Sequence, residues 1–246
     1  MTAGGARAWV GPHAPQRLGW GAQPPKAWSF STATGSSQQL HERARPEPMS
    51  RSAVVCRPIG RAVVLGSTQP APPLDRLPPG TALARRVSGG GAVWIAPGEI
   101  VWVDVDLPVD DPLWDDDVGR SFLWLGRVWA QALKKVDVGG ATVWDGGLKC
   151  GPAGRALCFA ALGPGEVSVA GRKVIGISQR RTREGTRFHC AALLRWSPIP
   201  LARVMGVPES VWPELAELAG GLDVAPDGLV TAFHDVMSDS RGPAAG

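Results

Sequence analysis

Tyrosine is absent from this chain, although tryptophan occurs 11 times in its 246 residues. We read that imbalance as packing and attach no function to it. No run of about 18 apolar residues occurs, so no membrane-spanning helix is expected. The N-terminus lacks the apolar core of a secretory signal. The four cysteines (Cys56, Cys150, Cys158 and Cys190) show no CxxC spacing, which argues against zinc; no metal ligand is assigned. Reduced thiols and a cytoplasmic location are the expectation. A net charge of +4 is modest. It fits an acidic partner surface or a phosphate-bearing ligand and does not demand nucleic acid. No acid precedes Glu42, and residues 1–50 are rich in Gly, Pro, Ala, Arg and Ser. That stretch reads mostly as a flexible tail, with a short helix from Ser36 to Glu42.

What remains, residues 51–246, is long enough to bury one sizeable core. Ala53–Cys56, Ala62–Leu65 and Ile100–Val105 have strand patterning, the last alternating at Trp102 and Asp104. Val118, Phe122, Leu125, Trp129 and Ala132 then fall on one helical face. Asp115, Asp116 and Asp117 before it and Lys134-Lys135 at its end suit the helix dipole better than a metal site. Ala141–Trp144, Ala156–Ala160, Val167–Val169, Val174–Ser178 and Phe188–Trp196 read as further strands. Helices follow over Pro208–Leu218 and Asp227–Val236. This order predicts an α+β domain: a mixed sheet with helices mainly on one face.

Two segments carry chemistry. In Arg85-Arg86-Val87-Ser88-Gly89-Gly90-Gly91-Ala92-Val93, two fixed cations precede three glycines between strands. Glycines let a loop close tightly and turn several N–H groups toward one anion, and guanidinium forks suit a phosphate or carboxylate. A plain hairpin turn fits the same residues. In Gly165-Glu166-Val167-Ser168-Val169-Ala170-Gly171-Arg172-Lys173-Val174-Ile175-Gly176, a tight turn is followed by a lysine between apolar neighbours. Pointing inward, its charge needs an anionic ligand or a carboxylate; pointing outward, it is an ordinary surface lysine.

Together these segments resemble the catalytic domain shared by lipoate–protein ligases, biotin–protein ligases and octanoyltransferases of the lipoyl pathway. The similarity runs from about Arg61 to about Trp196. The Ser-Gly-Gly-Gly form of the loop is similar to that of the lipoate ligases, and Gly171-Arg172-Lys173-Val174-x-Gly176 to the family's lysine motif. Pro164-Gly165-Glu166-Val167 stands where the family has an Asn-Asp pair, and the seven-residue step from acid to lysine, Glu166 to Lys173, is kept. The resemblance implies that Arg85, Arg86, Ser88, Gly89, Gly90, Gly91, Ala92, Glu166 and Gly176 bind substrate or nucleotide, and that Lys173 is catalytic. Leu157-Cys158-Phe159 is similar to the Cys-Phe pair of cysteine-dependent octanoyltransferases, which implies Cys158 as an acyl-carrying nucleophile; a small buried hydrophobe is the alternative. His189 stands where the family has Gln-His-Gly, with both neighbours changed; a structural histidine fits equally. Arg180, Arg181, Arg183 and Arg187 read as a basic hairpin facing solvent, an acidic domain or a phosphate.

Other features depart from the pattern. The family's His-Asp after the glycine loop is replaced by Trp94-Ile95-Ala96, and Gly165-Glu166 replaces Asn-Asp, which weakens the case for magnesium. Three functions therefore stand open. One is a ligase that uses ATP and Mg2+ to make an acyl-adenylate of lipoate. Another is a transferase without cofactor that takes octanoate from acyl carrier protein on Cys158. The last is a non-catalytic adaptor. In each the implied partners are lipoyl domains of 2-oxoacid dehydrogenase complexes or the glycine cleavage H protein, with neither nucleic acid nor membrane.

Overall fold

The computed structural model describes residues 27–151 and 153–239. In chain order the elements are β1 (Ser29–Gly35), α1 (Ser37–Glu42), β2 (Ser52–Pro58), β3 (Arg61–Leu65), β4 (Thr81–Arg85), β5 (Val93–Ile95) and β6 (Ile100–Pro108). Then come α2 (Leu123–Lys135), β7 (Ala141–Val143), β8 (Lys149–Cys150), β9 (Ala161–Leu162), β10 (Val167–Val169), β11 (Arg172–Arg181) and β12 (Gly185–Leu193). Three helices close the described chain: α3 (Pro198–Val204), α4 (Trp212–Leu218) and α5 (Pro226–Asp239).

A seven-stranded sheet, ordered β1-β2-β6-β12-β11-β10-β7, forms the frame. β1 runs parallel to β2, and every other neighbour is antiparallel. Period-two alternation gives the central strand β6 two different faces. Val101, Val103, Val105 and Leu107 join the core beneath α2 and α5, where Leu125, Val128, Trp129, Ala132 and Leu133 meet Leu229, Phe233, Val236 and Met237. The rings of Trp129 and Phe233 lie 4.4 Å apart between the two helices. Ile100 and Trp102 belong to the opposite face, which is covered by α1 and by the small sheet β4-β3-β5. The fold is thus α+β, with a mixed sheet and its longest helices on one face. No helix among the described residues is long and apolar enough to cross a membrane.

Four expectations need correction. Residues 1–26 of the expected tail lie outside the described residues, but from Ser29 the chain is part of the domain: β1 pairs with β2 from Ser29–Ser52 through Gly35–Pro58. β1 is an edge strand of Ser, Thr, Ala and Gly with a single Phe30, held by main-chain hydrogen bonds, so it carries no apolar periodicity to read. The helix expected from Val118 begins at Leu123, after a 3-10 turn over Arg120–Phe122, and Val118 is exposed. Asp117 accepts the Arg120 backbone N–H and Ser121 donates to the Val118 carbonyl, which ends the preceding loop there. The strand expected over Ala156–Ala160 contains a 3-10 turn, Cys158–Ala160. Arg187 is not in an exposed basic hairpin: it is buried in β12 and makes two 2.8 Å bonds to Asp106.

Candidate active site

The glycine loop joins β4 to β5, the two outer strands of the small sheet. Its shape is held by its own arginines. The Arg85 guanidinium donates to the carbonyls of Gly66 (2.8 Å) and Gln69 (2.7 Å). Arg86, 4% exposed, donates to the carbonyls of Gly89 (2.8 Å) and Gly91 (2.9 Å). A Cβ on Gly91 would sit 2.6 Å from the Cys158 nitrogen, and one on Gly66 would sit 2.0 Å from the Gly90 oxygen. Only glycine permits that approach. It lets the Ala92 N–H donate to the Ala156 carbonyl (2.8 Å) and the Cys158 N–H donate to the Ala92 carbonyl (2.9 Å). The loop is therefore stitched to the segment that carries Cys158. Ser88 reaches across to β11, where its hydroxyl lies 3.0 Å from that of Ser178.

Lys173 opens β11 with its side chain turned inward and only 3% exposed. Its ammonium meets Glu166 Oε2 at 2.6 Å and donates to the carbonyls of Cys158 (2.9 Å) and Ala161 (2.8 Å). Three N–H donors thus have three acceptors. Glu166 is itself fixed by the backbone N–H groups of Gly163 (2.7 Å) and Ile177 (3.2 Å). This network compensates a buried charge that alone would be costly. The Phe159 ring lies 4.9 Å from the ammonium.

Phe159 lines an apolar cavity walled also by Val64, Val93, Ile95, Ile100, Trp102 and Ile177. Arg86, Cys158, Gly176, Ser178, His41 and His189 complete its lining. Phe159 also lines a cleft that Lys173 shares with Lys149, Ser168 and Gly171, and with Glu214 and Glu217. His189 Nδ1 lies 2.7 Å from Asp104 Oδ1, which also accepts from the Trp102 indole at 2.7 Å. Burial alone would raise the Asp104 pKa, but His189, Arg187 and Trp102 outweigh it and hold the carboxyl well below its usual range. Burial drives His41 the other way for a base, down to about 3, reinforced by His189, Arg86 and Arg187 and opposed by Asp104.

A model of the lipoyl protein ligase A/B catalytic domain matches residues 38–218. The chain belongs to this family. No curated protein matches it significantly. Among solved structures, an archaeal bi-partite lipoate protein ligase from Thermoplasma acidophilum, described with its E2 lipoyl domain, superimposes with a TM-score of 0.65 at 18% identity, covering 87% of this chain and 84% of that one. A lipoate-protein ligase A bound with ATP gives 0.63 at 18% identity, covering 87% and 85%. P. falciparum LipL1 in complex with lipoate gives 0.54 at 14% identity, covering 86% and 60%. At these identities the superpositions establish the fold.

Within this lipoyl-ligase domain, Arg86, Cys158 and Gly176 line one cavity with Phe159, the Lys173–Glu166 pair stands against the Cys158 turn, and Gly91 and Ala92 pack on the Ala156–Cys158 segment. Arg85 turns its side chain away, onto the Gly66–Gln69 turn. Gly176 lies against Phe159 and the Lys173 side chain, with room for little more than hydrogen: a Cβ there would stand 3.0 Å from the Phe159 ring. Sequence reasoning passed over His41, Asp104 and Phe159. A signal for Asp104 was present, because an aspartate between Val103 and Val105 on a central strand has to find buried partners. The clustered aspartates are occupied elsewhere: Asp111 grips Arg51 at 2.6 and 2.7 Å, and Asp115 pairs with Arg120 at 3.0 Å. No group of three His, Cys, Asp or Glu suited to a metal is found among the described residues.

Proposed function

We propose that this chain attaches a medium-length acyl group, lipoyl or octanoyl, to a lysine of a lipoyl-carrier domain through an acyl-adenylate. One observation carries the reading: the buried Lys173 ammonium stands beside Phe159, whose ring lines both an apolar cavity that would take an acyl chain and a cleft that holds a second cation, Lys149. An acyl group in the cavity would bring its carboxyl end toward Lys173. The carboxylate oxygen would attack the α-phosphorus of ATP, the bond to the β-phosphate would break and pyrophosphate would leave, giving the acyl-adenylate; Lys149 and Lys173 are the cations its phosphate would meet. The amine of the acceptor lysine then attacks the carbonyl carbon. A C–N bond forms, the bond to AMP breaks, and the amine gives up a proton. Lys173, fixed by Glu166, stabilises the charge that develops on the carbonyl oxygen.

The solved relatives described with ATP and with an E2 lipoyl domain support carrying these partners over as a proposal. A second reading has its own observation. Cys158 lines the cavity, is only partly buried, and begins the turn whose carbonyl holds Lys173. There it is placed to carry octanoate from acyl carrier protein as a thioester without ATP.

Intact-mass measurement of an apo lipoyl domain separates the readings. One reaction contains lipoate with ATP and magnesium; the other contains octanoyl acyl carrier protein without ATP. The proposal expects modification in the first, unchanged by Cys158→Ala. Modification only in the second, lost in Cys158→Ala, makes the chain a transferase. A folded protein inert in both is an adaptor or one that needs a partner subunit.

A further inference from the structure

The end of the cavity away from Lys173 is built from two imidazoles. Ser178 lies five residues beyond Lys173 on β11, roughly 16 Å along the strand, and pairs in register with His189 on β12. His41 reaches the same place from α1, its ring 5.0 Å from that of His189 and 4.4 Å from that of Trp102. His41 Nδ1 and Nε2 and His189 Nε2 are buried and have no hydrogen-bond partner, and both rings line the cavity. Each ring is held rigidly, His189 by Asp104 and His41 by its stack on Trp102. A neutral imidazole offers one N–H donor and one acceptor nitrogen. Arg86 and Ser178, which also line the cavity, have partners of their own, so these nitrogens are the groups left to be satisfied.

We propose that His41 and His189 form a polar end wall that selects acyl groups carrying heteroatoms at the far end, such as the sulfurs of a cyclic disulfide, over saturated chains of the same length. This deepens the acyl-transfer reading by naming the acyl class. Sulfur is a weak acceptor that an imidazole N–H can meet; a terminal methyl group expels water from the same nitrogens and returns nothing. The selectivity lies in the loss imposed on the saturated chain, a device as effective as a gain for the preferred one.

The test is equilibrium binding of lipoate and of octanoate to the full chain by calorimetry, in wild type, His41→Phe and His41→Gln. Phenylalanine keeps the ring over Trp102 and removes both nitrogens; glutamine restores a donor and an acceptor. Wild type is expected to bind lipoate at least about tenfold more tightly than octanoate. His41→Phe is expected to erase the preference by tightening octanoate, and His41→Gln to keep part of it. Equal affinities in wild type, a preference unchanged in His41→Phe, or a folded wild type that binds neither acid each overturn the inference. Preference in binding without modification of a lipoyl domain overturns the proposed function while selectivity stands. Modification at equal rates from both acids does the reverse.

Discussion

Replacing His41 by phenylalanine also isolates the cost of keeping an imidazole neutral inside the protein. In the folded chain the group titrates at about 3, against 6.5 for a free side chain. Between those values the unfolded chain holds a proton that the folded chain refuses. The native state is therefore penalised as pH falls below 6.5, and the penalty is complete below about 3. From pH 7 to pH 5 the loss from this residue alone is about 2 kcal/mol. The charged and titratable groups facing the ring are Asp104, His189, Arg86 and Arg187, and they remain in the variant. Urea unfolding at both pH values measures the effect. Wild type is expected to lose about 2 kcal/mol more than His41→Phe across this window, with equal m-values. An equal loss in both proteins would refute the reasoning, because His41 would then take up its proton without unfolding.

Two further outcomes follow from the site. Lys173→Ala is expected to abolish acyl transfer and to cost about 3–5 kcal/mol of stability, since it strands Glu166 in the interior. Lys173→Met combined with Glu166→Gln should recover much of that stability without restoring transfer, so chemical denaturation and acylation assays separate the two roles. Gly91→Ala is expected to lower stability by about 1–3 kcal/mol and to reduce acylation, because its methyl group meets the backbone of Leu157 and Cys158. Stability and turnover unchanged in Gly91→Ala would show that the loop is not stitched to the Cys158 segment.

Local signals made much of this domain readable. β6, β11, β12 and α5 declare themselves through period-two or helical patterning, and glycine and lysine motifs mark the loop and the start of β11. Of the two orientations the sequence leaves open for Lys173, the structure has the inward one, with Glu166, one tight turn away, as its carboxylate partner. What was hidden depends on long-range pairing. β1 has no apolar stripe and exists through its register with β2. The Cys158–Ala160 turn has a strand-like composition but bends to receive the Lys173 ammonium on its carbonyl. Arg187 looks like a member of a surface run until Asp106, on the adjacent strand, draws it inward. His41 and Asp104 are 63 positions apart and meet only once α1 crosses the sheet.

The saturation of Lys173 bears on how the domain treats anything that seeks its cation. A ligand does not collect an unused charge; it takes part in an exchange in which Glu166 or the Cys158 or Ala161 carbonyl gives up its place. Weak acceptors such as an ester or amide oxygen lose that contest, whereas a phosphate or carboxylate brings enough charge to win it. Occupancy at Lys173 is then coupled mechanically to the turn that contains Cys158.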